Sequence, residues 1–283
     1  MKDEHPIAVL AETLEVSVSG FFAHRRKAQG QRRQQDDALA VTIAPIFTAS
    51  RRTYGCPRMT AALRQQGVRC GKNQVARLMR ENRLVPRQKR KRWRPTTTDS
   101  NHGHPVAENW LARVPAPEQP NQVWVADITY IDTGEGWLYL AGILDACTRR
   151  LVGWQTGKTL AAELVTQAWQ KAVRLRRPGP GLLHHSDRGV QYASGAMAVL
   201  LAESGAAASM SRRGNCYDNA MMESFWATLK AECFAGEMPP TRQAAKLRVF
   251  DYIEGFYNRT RLHSGLGYQS PLAFEANLRY SKN

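Results

Sequence analysis

Asn121-Gln-Val-Trp-Val-Ala-Asp-Ile-Thr-Tyr-Ile131 has the Val, Ile, Trp, Tyr and Thr content of a β-strand. Alternation with period two puts Val123, Val125, Asp127, Thr129 and Ile131 on one face and Trp124, Ala126, Ile128 and Tyr130 on the other. Asp127 is then a charge among apolar neighbours. Burying an unpaired carboxylate costs several kcal/mol, so Asp127 must be paired, solvated or bound to a cation. The turn-forming Asp132-Thr-Gly-Glu-Gly136 follows, and residues 136–145 supply a second strand, which makes a hairpin. Residues 151–157 read as a third strand, 161–174 as a helix, 181–185 as a fourth strand, 194–204 as a helix and 206–210 as a fifth strand. That order, βββαβαβα, predicts an α/β core: a mixed five-stranded sheet with helices packed on its faces.

Two further acids stand where a carboxylate has no obvious structural task. Asp187 ends the fourth strand in Leu182-Leu-His-His-Ser-Asp-Arg-Gly-Val-Gln-Tyr192, and Glu223 follows after 35 intervening residues (188–222) in Asp218-Asn-Ala-Met-Met-Glu-Ser-Phe-Trp226. The second segment reads as a helix capped by Asp218 or Asn219, with Met222, Phe225 and Leu229 as its apolar stripe. Asn219, Glu223 and Lys230 fall on a neighbouring stripe, so one face presents an amide, a carboxylate and an ammonium. Taken singly, each acid has an ordinary reading as a hydrogen-bonded strand residue, a turn residue or a surface glutamate. Taken together they read as one metal site. Downstream, Leu247, Phe250, Ile253 and Tyr257 recur at helical spacing and read as packing.

The chain has 283 residues, 43% hydrophobic and 23% charged, and a formal net charge of +16. That length allows two or three units. The charge attracts polyanions, nucleic acid first among them. It is concentrated between Arg51 and Arg94, where Glu81 is the single acid. Within that stretch, helices at 39–50, 57–66 and 73–84 give a helix-turn-helix pattern. Its last helix turns Val75, Leu78 and Met79 inward and Lys72, Gln74, Arg77 and Arg80 outward, as groove reading requires. Arg87, Lys89, Arg90, Lys91, Arg92 and Arg94 then form a basic run suited to DNA backbone contact, with a solvated tail as the plainer reading. Residues 10–26 resemble a shorter helix-turn-helix piece.

No apolar run approaches the roughly 20 residues that span a bilayer. Met1-Lys-Asp-Glu-His-Pro6 carries no signal-peptide pattern. Cys56, Cys70, Cys147, Cys216 and Cys233 are scattered singly without zinc-type spacing. A membrane protein and a catalytic zinc enzyme are therefore excluded as readings, and a cytoplasmic location is expected. The expected organisation is an N-terminal helical segment (1–37), an all-α helix-turn-helix domain (38–85), a basic, proline-bearing linker (86–120), a catalytic core (121–235) and a C-terminal helical segment completing it (236–283).

The motifs Trp124-Val-Ala-Asp-Ile-Thr-Tyr130, Asp145-Ala-Cys-Thr-Arg-Arg-Leu-Val-Gly-Trp154, His185-Ser-Asp-Arg-Gly189, Ser209-Met-Ser-Arg-Arg-Gly-Asn215, Tyr217-Asp-Asn-Ala220, Glu223-Ser-Phe225 and Tyr257-Asn-Arg-Thr-Arg-Leu-His-Ser-Gly-Leu-Gly267 occur in order. In that density they resemble the catalytic subunit (OrfB, integrase core) of the insertion-sequence-three family of bacterial transposases, relatives of the retroviral integrases. Thr53-Tyr-Gly-Cys-Pro-Arg58 through Met79 resembles the family's helix-turn-helix. Thr148, Val190 and Cys216 depart mildly from its pattern.

The resemblance implies a ribonuclease-H-like fold and a DDE polynucleotidyl transferase. Asp127, Asp187 and Glu223 would hold two Mg²⁺ or Mn²⁺, with Asp127 shared, and Asn219, Lys230, Arg261 and His263 would contact DNA. It also implies binding to double-stranded DNA at element ends and target, a homo-oligomer on that DNA, and an upstream OrfA partner or frameshift fusion. A nuclease of the same fold without strand transfer, or a catalytically silent DNA-binding regulator, stays open on sequence grounds.

Overall fold

The computed structural model describes residues 6–28, 30–87, 105–212 and 219–280. The chain divides into two compact units, 1–86 and 87–283.

In the first unit, α1 (Ile7–Thr13) packs on α2 (Val18–Ala28), and α3 (Gln31–Ala49), α4 (Cys56–Gln65) and α5 (Lys72–Glu81) pack on one another. Leu39, Ile43 and Phe47 from α3 meet Met59 and Leu63 from α4 and Val75, Leu78 and Met79 from α5 in a buried core. α3 starts eight residues earlier than its apolar pattern suggests (39 − 31) and so crosses the expected boundary at residue 37. Gln31-Arg-Arg-Gln-Gln-Asp-Asp37 has no apolar periodicity to read, yet Gln and Arg favour helix.

The second unit is built on a five-stranded sheet in the order β3-β2-β1-β4-β5. β1 (Val123–Ile131), β2 (Leu138–Asp145) and β3 (Leu151–Gly157) are antiparallel neighbours, while β4 (Leu183–Ser186) runs parallel to β1 and β5 (Ala207–Met210) parallel to β4. The mixed sheet expected from the element order is thus present. α6 (Ala162–Arg176) and α7 (Gly195–Glu203) cover the face that carries Trp124, Ala126 and Ile128, where Trp169 meets Trp124 and His184 edge-on. α8 (Ala220–Leu229) approaches β1 and buries Met222, Phe225, Trp226 and Leu229.

The β2–β3 turn is tied by Asp145, fully buried, which accepts hydrogen bonds from the backbone N–H groups of Asn121, Cys147 and Thr148 and from the Thr148 hydroxyl. That network satisfies a buried charge without a counter-ion.

α8 continues into a π-helical stretch, Lys230–Phe234, and α9 (Arg242–Phe250) into another, Asp251–Tyr257. The second changes the helical phase, because i→i+5 bonding inserts extra residues per turn. Ile253 and Tyr257 are accordingly buried as expected, but Leu247 and Phe250 are 58% and 56% exposed, and Val249, Tyr252 and Phe256 take the inward positions. α10 (Pro271–Tyr280) is held through buried Glu275, which pairs with Arg150, Arg176 and Arg279.

Arg261, expected to touch DNA, is instead an interior residue. Its guanidinium is bidentate to Glu232 at 2.7 and 2.6 Å, and the Tyr252 hydroxyl donates to the same carboxylate at 2.8 Å. Both side chains of the pair are more than nine-tenths buried. Removing one partner of such a pair strands a buried charge and costs about 3–5 kcal/mol. Arg261→Ala should therefore lower the urea-unfolding free energy by about that amount. A loss under roughly 1 kcal/mol, the range of an exposed pair, would mean that Arg261 is a surface cation after all.

Candidate active site

The register of the sheet brings two of the three acids together. Val123, Trp124 and Val125 pair with Leu183, His184 and His185. β4 ends at Ser186, so Asp187 follows directly at its carboxyl end, beside the strand that carries Asp127 and near enough for its charge to act on the Asp127 carboxyl. β1 and β4 thus deliver two like charges to one end of the sheet.

Burial pushes the Asp127 carboxyl up to about 8, with the Asp187 charge as the next cause and Glu223 a lesser one. The Ile128 N–H donates to Oδ1 at 2.9 Å and the Trp226 indole N–H to Oδ2 at 3.0 Å, and both oppose that rise. By surface exposure Asp127 is only intermediate. The packed backbone around it, not full enclosure, is what withholds water. Asp187 is held by its own loop: the Gly189 N–H donates to Oδ1 at 3.0 Å, and Arg188 donates to the Ser211 carbonyl at 2.7 Å. A Cβ at Gly189 would come to 3.0 Å from that same Oδ1, so the turn closes tightly around the carboxylate.

Glu223 is exposed in the first turn of α8, and Trp226 sets where that helix sits. Gly142 on β2 pairs directly with Asp127, and a Cβ there would lie 2.6 Å from Cη2 of Trp226. The missing side chain is the seat of the indole. One residue therefore places α8 on the sheet and orients Asp127 at the same time. Sequence reading missed both Trp226 and Gly142: the tryptophan looks like one more apolar residue on a stripe, and the glycine like a weak strand position. Only the Asp127–Gly142 register across the hairpin joins them.

The other expected residues are placed unevenly. The Asn219 amide donates to the Ala126 carbonyl at 3.3 Å, while its Oδ1 is buried without a hydrogen bond among the described residues. The Lys230 ammonium lies 4.3 Å from the centre of the Tyr130 ring, a cation–π contact at the end of β1. His185 is buried, clasped between the Ser209 and Ser211 hydroxyls, and His184 is a core residue whose burial pushes its pKa down to about 3.

On α5, Lys72 and Arg80 are exposed, but Gln74 and Arg77 are engaged with Asp36 of α3 at 2.9 and 2.6 Å, and Arg77 also with Glu81. These two brace α3 against α5. Arg87 donates to the Glu232 carbonyl at 2.7 Å. Lys89, Arg90, Lys91, Arg92 and Arg94 lie outside the described residues, as does Cys216.

The donor set suits a hard divalent cation, being carboxylate oxygen throughout, and the raised Asp127 pKa reflects burial first and repulsion by Asp187 second, both of which a bound cation would offset. Among the described residues, however, no three His, Cys, Asp or Glu side chains already stand at metal-holding distances. The acids share one end of the sheet without forming a closed cage.

Comparison with known proteins assigns the chain. Residues 117–216 and 204–271 match integrase core domain families, and residues 34–92 match the HTH-like domain family. The chain is 46% identical over 265 residues to the "Insertion element IS600 uncharacterized 31 kDa protein" of Shigella sonnei, covering 94% of this chain and 97% of the relative. It is 38% identical over 274 residues to "Transposase InsF for insertion sequence IS3A" of Escherichia coli (strain K12), covering 96% and 94%.

The chain belongs to the insertion-sequence-three family of transposases.

It is accordingly a DNA transposase of the DDE polynucleotidyl transferase type, and the nuclease and silent-regulator readings are not favoured. Among solved structures, the intasome of simian T-cell lymphotropic virus aligns at 14% identity and TM-score 0.48 over 76% of this chain and 70% of its own. The HTLV-2 integrase catalytic core domain aligns at 13% and 0.43 over 56% and 97%.

Two outcomes follow for the transposase. A carboxyl whose pKa is raised from 3.8 to about 8 on folding binds its proton more tightly in the folded state, so the metal-free protein should lose stability as pH rises through that window. Asp127→Asn should flatten that fall and raise the Tm at pH 8 by at least roughly 2–4 °C, the response to 1 kcal/mol in a domain of this size. A Tm–pH curve parallel to wild type would contradict the burial argument. Gly142→Ala should displace Trp226, cost about 1–3 kcal/mol of stability and reduce DNA cleavage by about 10–100-fold, as lost support of ligating groups does. Wild-type cleavage would show that Asp127 does not depend on the indole.

Proposed function

We propose that Asp127, Asp187 and Glu223 are the catalytic, metal-holding carboxylates of this transposase, and that it cuts and joins the ends of its mobile element. The observation that supports the reading is the parallel pairing of β1 with β4, which brings Asp187, just past the end of β4, near enough to act on Asp127, while Trp226 ties the Glu223 helix to Asp127. When bound, two Mg²⁺ or Mn²⁺ ions would supply Lewis-acid activation of the attacking oxygen and neutralise the leaving one.

The protein's own contribution is placement. Asp127, at the centre of the sheet, would be shared between the ions, with Asp187 on its tight turn and Glu223 on α8 each holding one. The reaction needs no protein nucleophile: water attacks the phosphorus at the element end, and the P–O3′ bond breaks to leave a 3′-hydroxyl. In the joining step that hydroxyl attacks a target phosphodiester, so again one P–O bond forms and one breaks. Lys230, just past the end of α8, and His263, which borders that helix, would meet DNA beside the scissile phosphate, while buried Asn219 at the N-cap would act by holding the start of α8 against β1.

The family's DNA binding is assigned here to two regions. In the helical unit, exposed Lys72 and Arg80 on α5 would read or grip the groove, and the basic run from Lys89 to Arg94 would follow the backbone. The assignment keeps 38–85 as the helix-turn-helix domain, 86–120 as linker, 121–235 as catalytic core and 236–283 as the segment completing it, after an N-terminal helical piece at 1–37. Joining two element ends to one target calls for more than one copy on the DNA, and an upstream OrfA frame, separate or fused, is the partner expected to supply further end recognition. No helix among the described residues is long and apolar enough to cross a membrane, and with a net charge of +16 the place of action is the DNA-containing cytoplasm.

Asp127→Asn, Asp187→Asn and Glu223→Gln should each reduce metal-dependent cleavage and joining of an element-end duplex by at least about 100-fold while leaving duplex binding largely intact. Wild-type turnover in any one of the three would remove that residue from the site.

A further inference from the structure

On the side of α8 away from Asp127 lies a cavity of about 260 Å³, walled by Arg149, Ser224, Thr228, Tyr257 and His263 together with buried apolar groups. Among the described residues, none that lines it is acidic. Arg261 also reaches it, but its charge is already met by Glu232. Ser224 and Thr228 stand one turn apart on α8, and Ser224 directly follows Glu223. The cavity opens beside the first turn of the helix, whose amides carry the positive end of its dipole.

Arg149 is the unusual member. Other inward-lying arginines of this unit have an acceptor: Arg150 and Arg176 have Glu275, Arg188 the Ser211 carbonyl, Arg261 the Glu232 carboxylate. Arg149 is half-buried, and among the described residues its guanidinium makes no hydrogen bond and has no carboxylate within ion-pair distance. Burial lowers its pKa, opposed only in part by Tyr257, Cys147 and Asp145, none of which forms an ion pair or hydrogen bond with the guanidinium.

Its backbone is fixed. The Arg149 N–H donates to the Asp145 carbonyl at 2.8 Å, its own carbonyl accepts from the Tyr257 hydroxyl at 3.1 Å, and its φ is +59°, a conformation an arginine adopts only at a cost. A turn that holds a strained arginine in place, without an ion pair, beside a cavity that also offers the Ser224 and Thr228 hydroxyls, is built to receive an anion.

We infer that this cavity is a DNA-phosphate seat in which Arg149, helped by Ser224 and Thr228, grips a phosphodiester on the far side of the catalytic helix from Asp127. The anion is identified through the transposase assignment, on which this inference rests. Duplex laid across α8 would then be held on both flanks of Glu223, by Lys230 on one and by Arg149 on the other.

Binding of a fluorescein-labelled duplex of about 30 bp, roughly three helical turns, is measured by anisotropy with the full chain in EDTA, across a KCl series. Loss of one phosphate contact should make the slope of log K against log[KCl] shallower by about 0.9 in Arg149→Gln. The same variant should bind more weakly at low salt whatever the duplex sequence, and Arg149→Lys, which keeps the charge, should recover most of the slope. Thr228→Glu, which leaves the β2–β3 turn untouched, should weaken binding by placing a like charge in the cavity, and it decides the matter alone if Arg149→Gln does not fold.

Wild-type affinity and slope in the folded variants would overturn the inference. Adding inorganic phosphate at constant ionic strength should leave the difference between wild type and Arg149→Gln in place; if phosphate abolishes it, the cavity takes the free ion and the DNA assignment falls. Because binding is read without metal, these outcomes stand apart from those of Asp127, Asp187 and Glu223, whose loss acts on cleavage.

Discussion

A carboxylate on one strand and another just past the end of its parallel neighbour repel each other, and the sheet keeps them near. The register that pairs Val125 with His185 brings Asp187, one residue beyond β4, close to Asp127, and a one-residue slip would turn every side chain of β1 to the other face. The core on the α6–α7 side, with Trp124, Trp169 and His184 in edge contact, holds that register by packing. The cost of burying Asp127, and of holding Asp187 near it, appears in its raised pKa. Charge placed at such a cost is the pattern expected where chemistry on an anionic phosphate needs a bound cation.

Glycine and tryptophan complete the arrangement from opposite directions. Gly142 removes a side chain so that the Trp226 ring can lie on β2, and the indole N–H then reaches Asp127. The same indole belongs to the helix that carries Glu223, so the third acid is tied to the first through one rigid side chain. Behind this, buried Asp145 closes the β2–β3 turn and Glu232 with Arg261 locks the π-helical continuation of α8. Glu232 and Arg261 neutralise each other, and Asp145 is satisfied by neighbouring N–H and O–H donors. Arg149, in the turn that Asp145 closes, has no such ion pair among the described residues.

The sheet was legible in the sequence because its strands obey simple rules: β1 alternates, β2 and β3 are bounded by Gly and Asp turns, and β4 and β5 are short runs between helices of clear period. The three acids were legible because each interrupts such a pattern. What the sequence could not disclose was partnership. Arg261 and Arg77 look like any exposed basic residues until Glu232 and Asp36, 29 and 41 positions away, are brought against them. Leu247 and Phe250 follow a perfect helical period, yet the π-helical turn after them rotates the stripe outward. Trp226 and Gly142 are 84 positions apart (226 − 142), and neither departs from its local pattern enough to be noticed alone.

The central claim is that Asp127 and Asp187 are held near each other in order to share a cation. A crystal of the full chain grown with Mn²⁺ and measured for anomalous scattering tests it directly. The account predicts an anomalous peak bridging the two carboxylates, with oxygen distances near the roughly 2.0–2.2 Å of a small divalent ion. Mn²⁺ bound elsewhere, with Asp127 and Asp187 apart or Asp127 still held by Trp226 alone, would contradict it.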